Sequence, residues 1–157
     1  KGLPLIRKTI GFSGYAEGWA LYAEQLADEI GMYEDDPLSQ IGYLKFQLFR
    51  ANRCIADTGI HAMKWTREQA IAQFVDSEGE APSFAAREVE RYCVSPGQAC
   101  SYKIGHTVWL NARERSKKAL GAKYSIKDFH DAGLNCGRVP LDVLDSVIDR
   151  YIATAKA

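Results

Sequence analysis

Glu17 and Glu24 stand seven residues apart in GYAEGWALYAE, residues 14–24, a stretch of helix formers and large apolar side chains. A helix advances about 100° per residue, so a step of seven brings both carboxylates back near one face. Leu21 and Asp28 fall on that face, while Trp19, Tyr22, Ala23 and Leu26 lie mostly opposite. Carboxylates in such company are expensive to bury unless something positive meets them. Two readings stand open. One is an amphipathic helix with a solvated acidic edge. In the other, Glu17 ligates a metal, its oxygen serving beside two imidazoles with the fourth zinc position left to water, and Glu24 stands behind it.

A second set lies further along. Arg50, Arg53 and Asp57 are spaced i, i+3, i+7, and His61 follows at i+11. These form an ordinary surface ion-pair cluster, or they form a site. In a site, Asp57 orients His61, which donates to a developing oxyanion or a substrate carboxylate. An arginine then clamps a carboxylate through two parallel hydrogen bonds. After Pro96, the residues Tyr102, His106, Trp109 and Arg113 share a stripe. It reads either as helix packing with polar tips or as a Tyr102 hydroxyl facing a transition state with Arg113 or His106 nearby. His130, in DFHD, reads as a structural hydrogen-bonding residue. GxSxG, HExxH, a phosphate loop and a dinucleotide fingerprint are all missing from the sequence.

The elements that must position these residues read as helices almost throughout. Residues 15–30 place apolar side chains at helical spacing, with Gly31 as a stop. Asp35-Asp36-Pro37 opens a long helix to about Asp57, which Thr58-Gly59 ends or kinks. Thr66 and Gln69 fit a capping box for a short helix to about Val75. Ser83 caps the next, to about Tyr92. Pro96-Gly97 opens a long helix to about Leu120, Ser125 begins another to about Asn135, and Pro140 sits at the start of the last. Leu141, Leu144, Val147, Ile148 and Tyr151 form its apolar stripe. The expected fold is all-α, one compact unit of about seven helices.

The chain has 157 residues, 46% hydrophobic and 25% charged, with 20 basic and 20 acidic side chains. That length supports a real core, and the balanced charge argues against nucleic acid or an anionic membrane as main partner. No apolar run approaches the roughly 20 residues of a transmembrane helix. The four cysteines form no CxxC pair and read as buried thiols, although Cys93 and Cys100 could bridge across Ser95-Pro96-Gly97 in an oxidising compartment. Beginning KGLPLIRKTIGFSG, without initiator Met or signal peptide, the chain reads as a piece of a longer protein. The compartment, cytoplasmic or exported, stays open. Helices parted from their partner half should leave an apolar patch near the first helix, or form a homodimer.

Four stretches, in order, resemble one family: GYAEGWALYAEQLADEIGMY, FRANRCIADTGIHAMKWTREQA, EVERYCVSPGQACSYKIG and KDFHDAGLNCGRVPLDVLD. It is the bacterial family catalogued as domain of unknown function 885, whose members look like zinc metallopeptidases of the gluzincin type. The resemblance implies the C-terminal half of a gluzincin-like helical fold. In gluzincins, two histidines of HExxH and a glutamate on a later helix hold zinc, and the HExxH glutamate is the base. The EGWA stretch resembles that later helix, so Glu17 is the candidate third ligand of a Zn2+ held by the complete protein. The histidine donors are expected upstream of Lys1, in the missing N-terminal part, so this polypeptide alone is expected to be inactive. DTGIH places Asp57 and His61, and PGQA–Y places Gln98 and Tyr102, on the wall of a peptide cleft. Arg50, Arg53 and Arg113 are the candidates for a peptide carboxylate. The alternative is a helical binding or scaffold module without chemistry.

Overall fold

The computed structural model describes residues 2–157. Eight α-helices and one 3₁₀ turn account for most of the chain, and no strand occurs among the described residues. They are α1 (Leu5–Thr9), α2 (Ser13–Glu29), α3 (Pro37–Met63), α4 (Arg67–Glu78), α5 (Pro82–Val94), α6 (Ser101–Leu120), α7 (Ile126–Asn135) and α8 (Leu141–Lys156). No helix of the described residues is long and apolar enough to cross a membrane.

Local chemistry explains most of the boundaries. Asp36 accepts from the Ser39 amide at 3.2 Å and the Ser39 hydroxyl at 2.6 Å, and Pro37 occupies the first turn of α3. Thr66 and Gln69 form the expected reciprocal box, with bonds of 3.2 and 2.8 Å. Ser125 accepts from the Asp128 amide at 3.3 Å to start α7.

Other boundaries differ from expectation. Helix α3 runs straight past Thr58-Gly59 to Met63. Gly59 is there because the Trp65 ring lies against its Cα, where a Cβ would collide. A mid-helix glycine costs about 1 kcal/mol, less than burying much of an indole returns. The chain turns instead at Lys64, which is left-handed with φ 58°, and the Trp65 amide donates to the Gly59 carbonyl at 2.9 Å. Pro82, at the first turn, starts α5 one residue ahead of Ser83 and makes that cap unnecessary. Residues 96–100 are turn, so α6 begins at Ser101 rather than at Pro96. Helix α1 has no counterpart in the sequence pattern.

The chain packs as two units. One holds residues through Tyr22 together with Ile104–Ala157; the other holds Ala23–Lys103. In the first, Trp109 is fully buried, with ring centroids of Trp19 at 5.0 Å, Tyr15 at 5.6 Å and Phe129 at 6.1 Å. Helix α7 packs on α8, which buries Leu144, Ile148 and Ile152 at a spacing of four. Tyr22 Oη and His130 Nε2 share a hydrogen bond of 3.0 Å. Burial, then the positive charge of Arg113, holds the His130 imidazole below its ordinary pKa, so it packs as a neutral ring. That matches its structural reading. In this unit α2 and α6 cross at glycines: a Cβ on Gly105 would collide with the Gly14 carbonyl oxygen and stand 2.8 Å from the Gly18 Cα.

In the second unit α3, α4 and α5 pack on one another. Ala56, Ala70 and Ala85 are fully buried and let the helices approach, and Phe49, Phe74, Val89 and Tyr92 fill the space between them. Leu38, Ile41, Leu44, Phe46, Leu48 and Ile55 of α3 are exposed, as are Leu5, Ile6, Ile10 and Phe12 ahead of α2.

The crossing gives a direct test. Gly105→Ala should cost about 3 kcal/mol, the upper end for an overpacked site, and lower Tm by roughly 6–12 °C in a chain of this length. Gly42→Ala, on α3 with nothing within 4 Å of its Cβ position, should instead stabilise by about 0.5–1 kcal/mol. Thermal melts followed by circular dichroism separate the two.

Candidate functional site

The richest concentration of charge lies within Ala23–Lys103. Helix α3 contributes Arg50, Arg53 and Asp57; α5 contributes Glu88, Arg91 and Tyr92; the turn after α5 and the first residues of α6 contribute Gln98 and Tyr102. The turn is pinned by Asp57, which is 4% exposed and accepts the Gly97 amide with both carboxylate oxygens at 3.1 Å. That bond fixes where Gln98 and Tyr102 stand relative to α3.

Tyr102 meets two cations. The guanidinium carbons of Arg50 and Arg53 lie 4.3 and 4.5 Å from its ring centroid, within the range of cation–π attraction. Arg53, with a side chain only 4% exposed, also faces Glu88 at 3.6 Å. The same Glu88 oxygen takes the Arg91 guanidinium at 3.0 Å and the Tyr92 hydroxyl at 3.0 Å. Burial, followed by the Glu88 charge, pushes the Tyr92 phenol well above its ordinary pKa, so it stays a donor. Arg91 donates to Gln98 Oε1 at 2.8 Å. Arg50, Arg53, Glu88, Arg91, Gln98 and Tyr102 line an open cavity of about 460 Å³, with Phe49, Phe84 and Ser95. Three arginines against one glutamate leave its walls positive. The Nε atoms of Arg50 and Arg53 are buried without a hydrogen-bond partner among the described residues.

An apolar pocket of about 240 Å³ adjoins it, sharing Phe49 and Phe84 as walls and adding Phe46, with the Lys45–Glu80 ion pair (2.9 Å) among its lining groups. Arg50, which lines the larger cavity, has its guanidinium 5.8 Å from the Phe46 centroid and 5.5 Å from that of Phe49.

The family described as "Bacterial protein of unknown function (DUF885)" matches residues 1–148. The chain belongs to the DUF885 family. Two solved structures are similar. One, described as a "putative lipoprotein" from Colwellia psychrerythraea, is 44% identical with TM-score 0.93, over 96% of this chain and 26% of that one. The other, described as a "putative lipoprotein of unknown function" from Shewanella oneidensis, is 29% identical with TM-score 0.86, over 92% of this chain and 27% of that one. The DUF885 chain thus spans about a quarter of the length of these relatives. No curated protein matches it.

Of the residues singled out in the sequence of this DUF885 chain, Arg50, Arg53, Gln98 and Tyr102 line the same cavity. Asp57 does not orient His61, as the spacing had suggested. Its carboxylate is taken by the Gly97 amide, while the exposed His61 places Nε2 3.1 Å from the Tyr92 carbonyl oxygen. Glu24 is half-buried beside Tyr33, Tyr43 and Phe46 in a separate hollow. Burial pushes its carboxyl above the ordinary value, and the Arg50 charge offsets part of this. Glu17 and Arg113 belong to the first unit. Arg113 is buried with its guanidinium 5.7 Å from the Tyr22 ring centroid. Glu17 is half-buried on α2 and makes no hydrogen bond or ion pair among the described residues, so its oxygens are available to a cation.

Among the described residues no three His, Cys, Asp or Glu side chains are grouped to hold a metal. Glu17 is a single carboxylate donor, and these residues group no further donors around it. The cysteines are free thiols. Cys93 is exposed rather than buried and, like Cys100, carries a free thiol, so no bridge spans Ser95-Pro96-Gly97 here; Cys54 Sγ lies 4.0 Å from the Cys100 carbonyl oxygen. Burial, with Cys54 and Asp57 nearby, pushes the Cys100 thiol up to about 12.

Sequence reasoning missed Glu88, Arg91 and the phenylalanine pocket. Nothing in the spacing of Glu88, Arg91 and Tyr92 marks them; the packing of α5 on α3 turns them toward Arg53.

The position of Glu24 yields a pH test. A carboxyl held above 4.5 binds protons more tightly in the folded chain than in the unfolded one. Stability is therefore lost as pH rises from about 4.5 through the raised value. Glu24→Gln removes that loss, so the variant should gain on the wild type from pH 4 to 7 in urea midpoints. A difference constant with pH would contradict the assignment.

Proposed function

We propose that this DUF885 chain is the C-terminal portion of a zinc-dependent peptidase, with Glu17 as a metal ligand and the arginine-lined cleft of Ala23–Lys103 as part of its peptide-binding wall. The observation that carries this reading is the cavity itself, which gathers Arg50, Arg53, Gln98 and Tyr102, four residues that stand out in the sequence by type and motif. A positive, partly apolar, open groove suits a peptide with a free carboxylate. The unpaired Glu17 carboxylate supports the metal role.

Bound zinc supplies a Lewis acid and a water whose pKa falls toward ~7. The residues of this chain do the rest. Glu17 would hold the zinc through its carboxylate. Of the two oxyanion-donor candidates, His61 already meets a backbone carbonyl through Nε2, which favours Tyr102, whose ring lies beside two guanidinium groups. A well-aimed donor of this kind is typically worth about 3–4 kcal/mol in the transition state. Arg50 and Arg53 hold substrate charge. The base and the imidazole donors come from HExxH in the N-terminal part of the complete protein. The likeness to two proteins described as lipoproteins extends the proposal: the complete protein is lipid-anchored.

The test uses the complete protein. Glu17→Ala should strip most of the zinc, measured by elemental analysis, and take peptide hydrolysis to background, with the helical circular dichroism unchanged. Zinc content and hydrolysis both equal to wild type would remove Glu17 from the site and with it the reading.

A further inference from the structure

The cleft and the phenylalanine pocket share two walls, Phe49 and Phe84, and that juxtaposition specifies a ligand more closely than either does alone. Arg53 is the less ordinary member. Its side chain is 4% exposed, Glu88 approaches only to 3.6 Å, and that carboxylate is already shared with Arg91 and Tyr92. A guanidinium so far from water needs more counter-charge than a shared oxygen provides. Its Nε and that of Arg50 are buried donors without partners among the described residues, and both side chains line the cavity. A cavity walled by Arg50, Arg53 and Arg91 against one glutamate calls for an anion with acceptor oxygens.

The neighbouring pocket says what the anion is attached to. It is walled by Phe46, Phe49 and Phe84 and measures about 240 Å³. A cavity of roughly 150 Å³ lined by such side chains accepts a benzene ring, so a large apolar side chain fits here. The Arg50 guanidinium lies 4.3 Å from the Tyr102 centroid and 5.8 and 5.5 Å from those of Phe46 and Phe49. A ligand with its charge on Arg50 therefore has its apolar group beside the phenylalanines. Inorganic phosphate or a sugar would leave that pocket empty. The ligand is an acid with a large apolar group next to its carboxylate.

We infer that cleft and pocket together form a subsite for the C-terminal residue of a peptide, its carboxylate on Arg50 and Arg53 and its apolar side chain among Phe46, Phe49 and Phe84. This rests on the peptidase reading and makes the enzyme one that cuts near free, apolar C-termini. A fatty acid offers the same pair of groups without the amide, and the experiment distinguishes the two sources.

The complete protein, freed of metal by chelation, is titrated calorimetrically with N-acetylphenylalanine, its amide, N-acetylglycine and hexanoate. N-acetylphenylalanine should bind at least tenfold more tightly than each of the others, a difference of about 1.4 kcal/mol or more. Arg50→Gln should bring acid and amide level. Phe46→Ala, at a side chain that is 56% exposed and so outside the packed core, should bring N-acetylphenylalanine level with N-acetylglycine. Equal binding of acid and amide by the wild type overturns the inference without any variant having to fold. Tighter binding of hexanoate than of N-acetylphenylalanine overturns the peptide assignment. Because metal plays no part in these titrations, either failure leaves the zinc content measured for Glu17→Ala standing as a separate result.

Discussion

Within Ala23–Lys103, Glu88 is one carboxylate serving three donors. Arg53 of α3 reaches it from the interior, Arg91 from the next turn of α5, and Tyr92 through its hydroxyl. Moving a charged group out of water costs several kcal/mol even after relaxation, so a guanidinium as deep as that of Arg53 depends on this oxygen. Arg91 in turn carries the restraint to Gln98, and Asp57 carries a second restraint to Gly97. The shape of the cleft follows from two acidic side chains, one holding charge and one holding backbone.

The chain's formal charge of zero conceals this arrangement. Charges on solvated helix faces cancel in the sum, and their pairs, such as Arg115 with Asp145 and Asp149, contribute little each. The cleft differs because its charges stand close together, partly away from water, and do not balance. Composition reports the sum over the chain, whereas binding responds to the local excess.

Much of the helical pattern was legible because it is written in local chemistry. Asp36-Pro37, the Thr66–Gln69 box and Ser125 each act within four residues, and a reader of the sequence can find them. The passage of α3 through Gly59 was not legible, because what secures it is the ring of Trp65 folding back on the helix. The start of α6 at Ser101 is similar: the Pro96–Cys100 turn is held by Asp57, forty positions from Gly97. In the cleft, Arg50, Arg53 and Tyr102 announced themselves by type and spacing. Asp57 was found but given the wrong partner, since a backbone amide leaves no mark in the sequence. Glu88 and Arg91 were overlooked because their role exists only once α5 lies on α3.

The contact of Gly105 with Gly14 and Gly18 has a consequence for how such proteins can diverge. Where two main chains touch with no side chain between them, a larger residue on one helix cannot be balanced by a smaller one on the other, because nothing smaller than hydrogen is available. Compensating pairs, the ordinary route by which cores drift, are closed at this crossing. Chimeras that join segments of distant relatives on either side of it should therefore tolerate no side chain at these glycines.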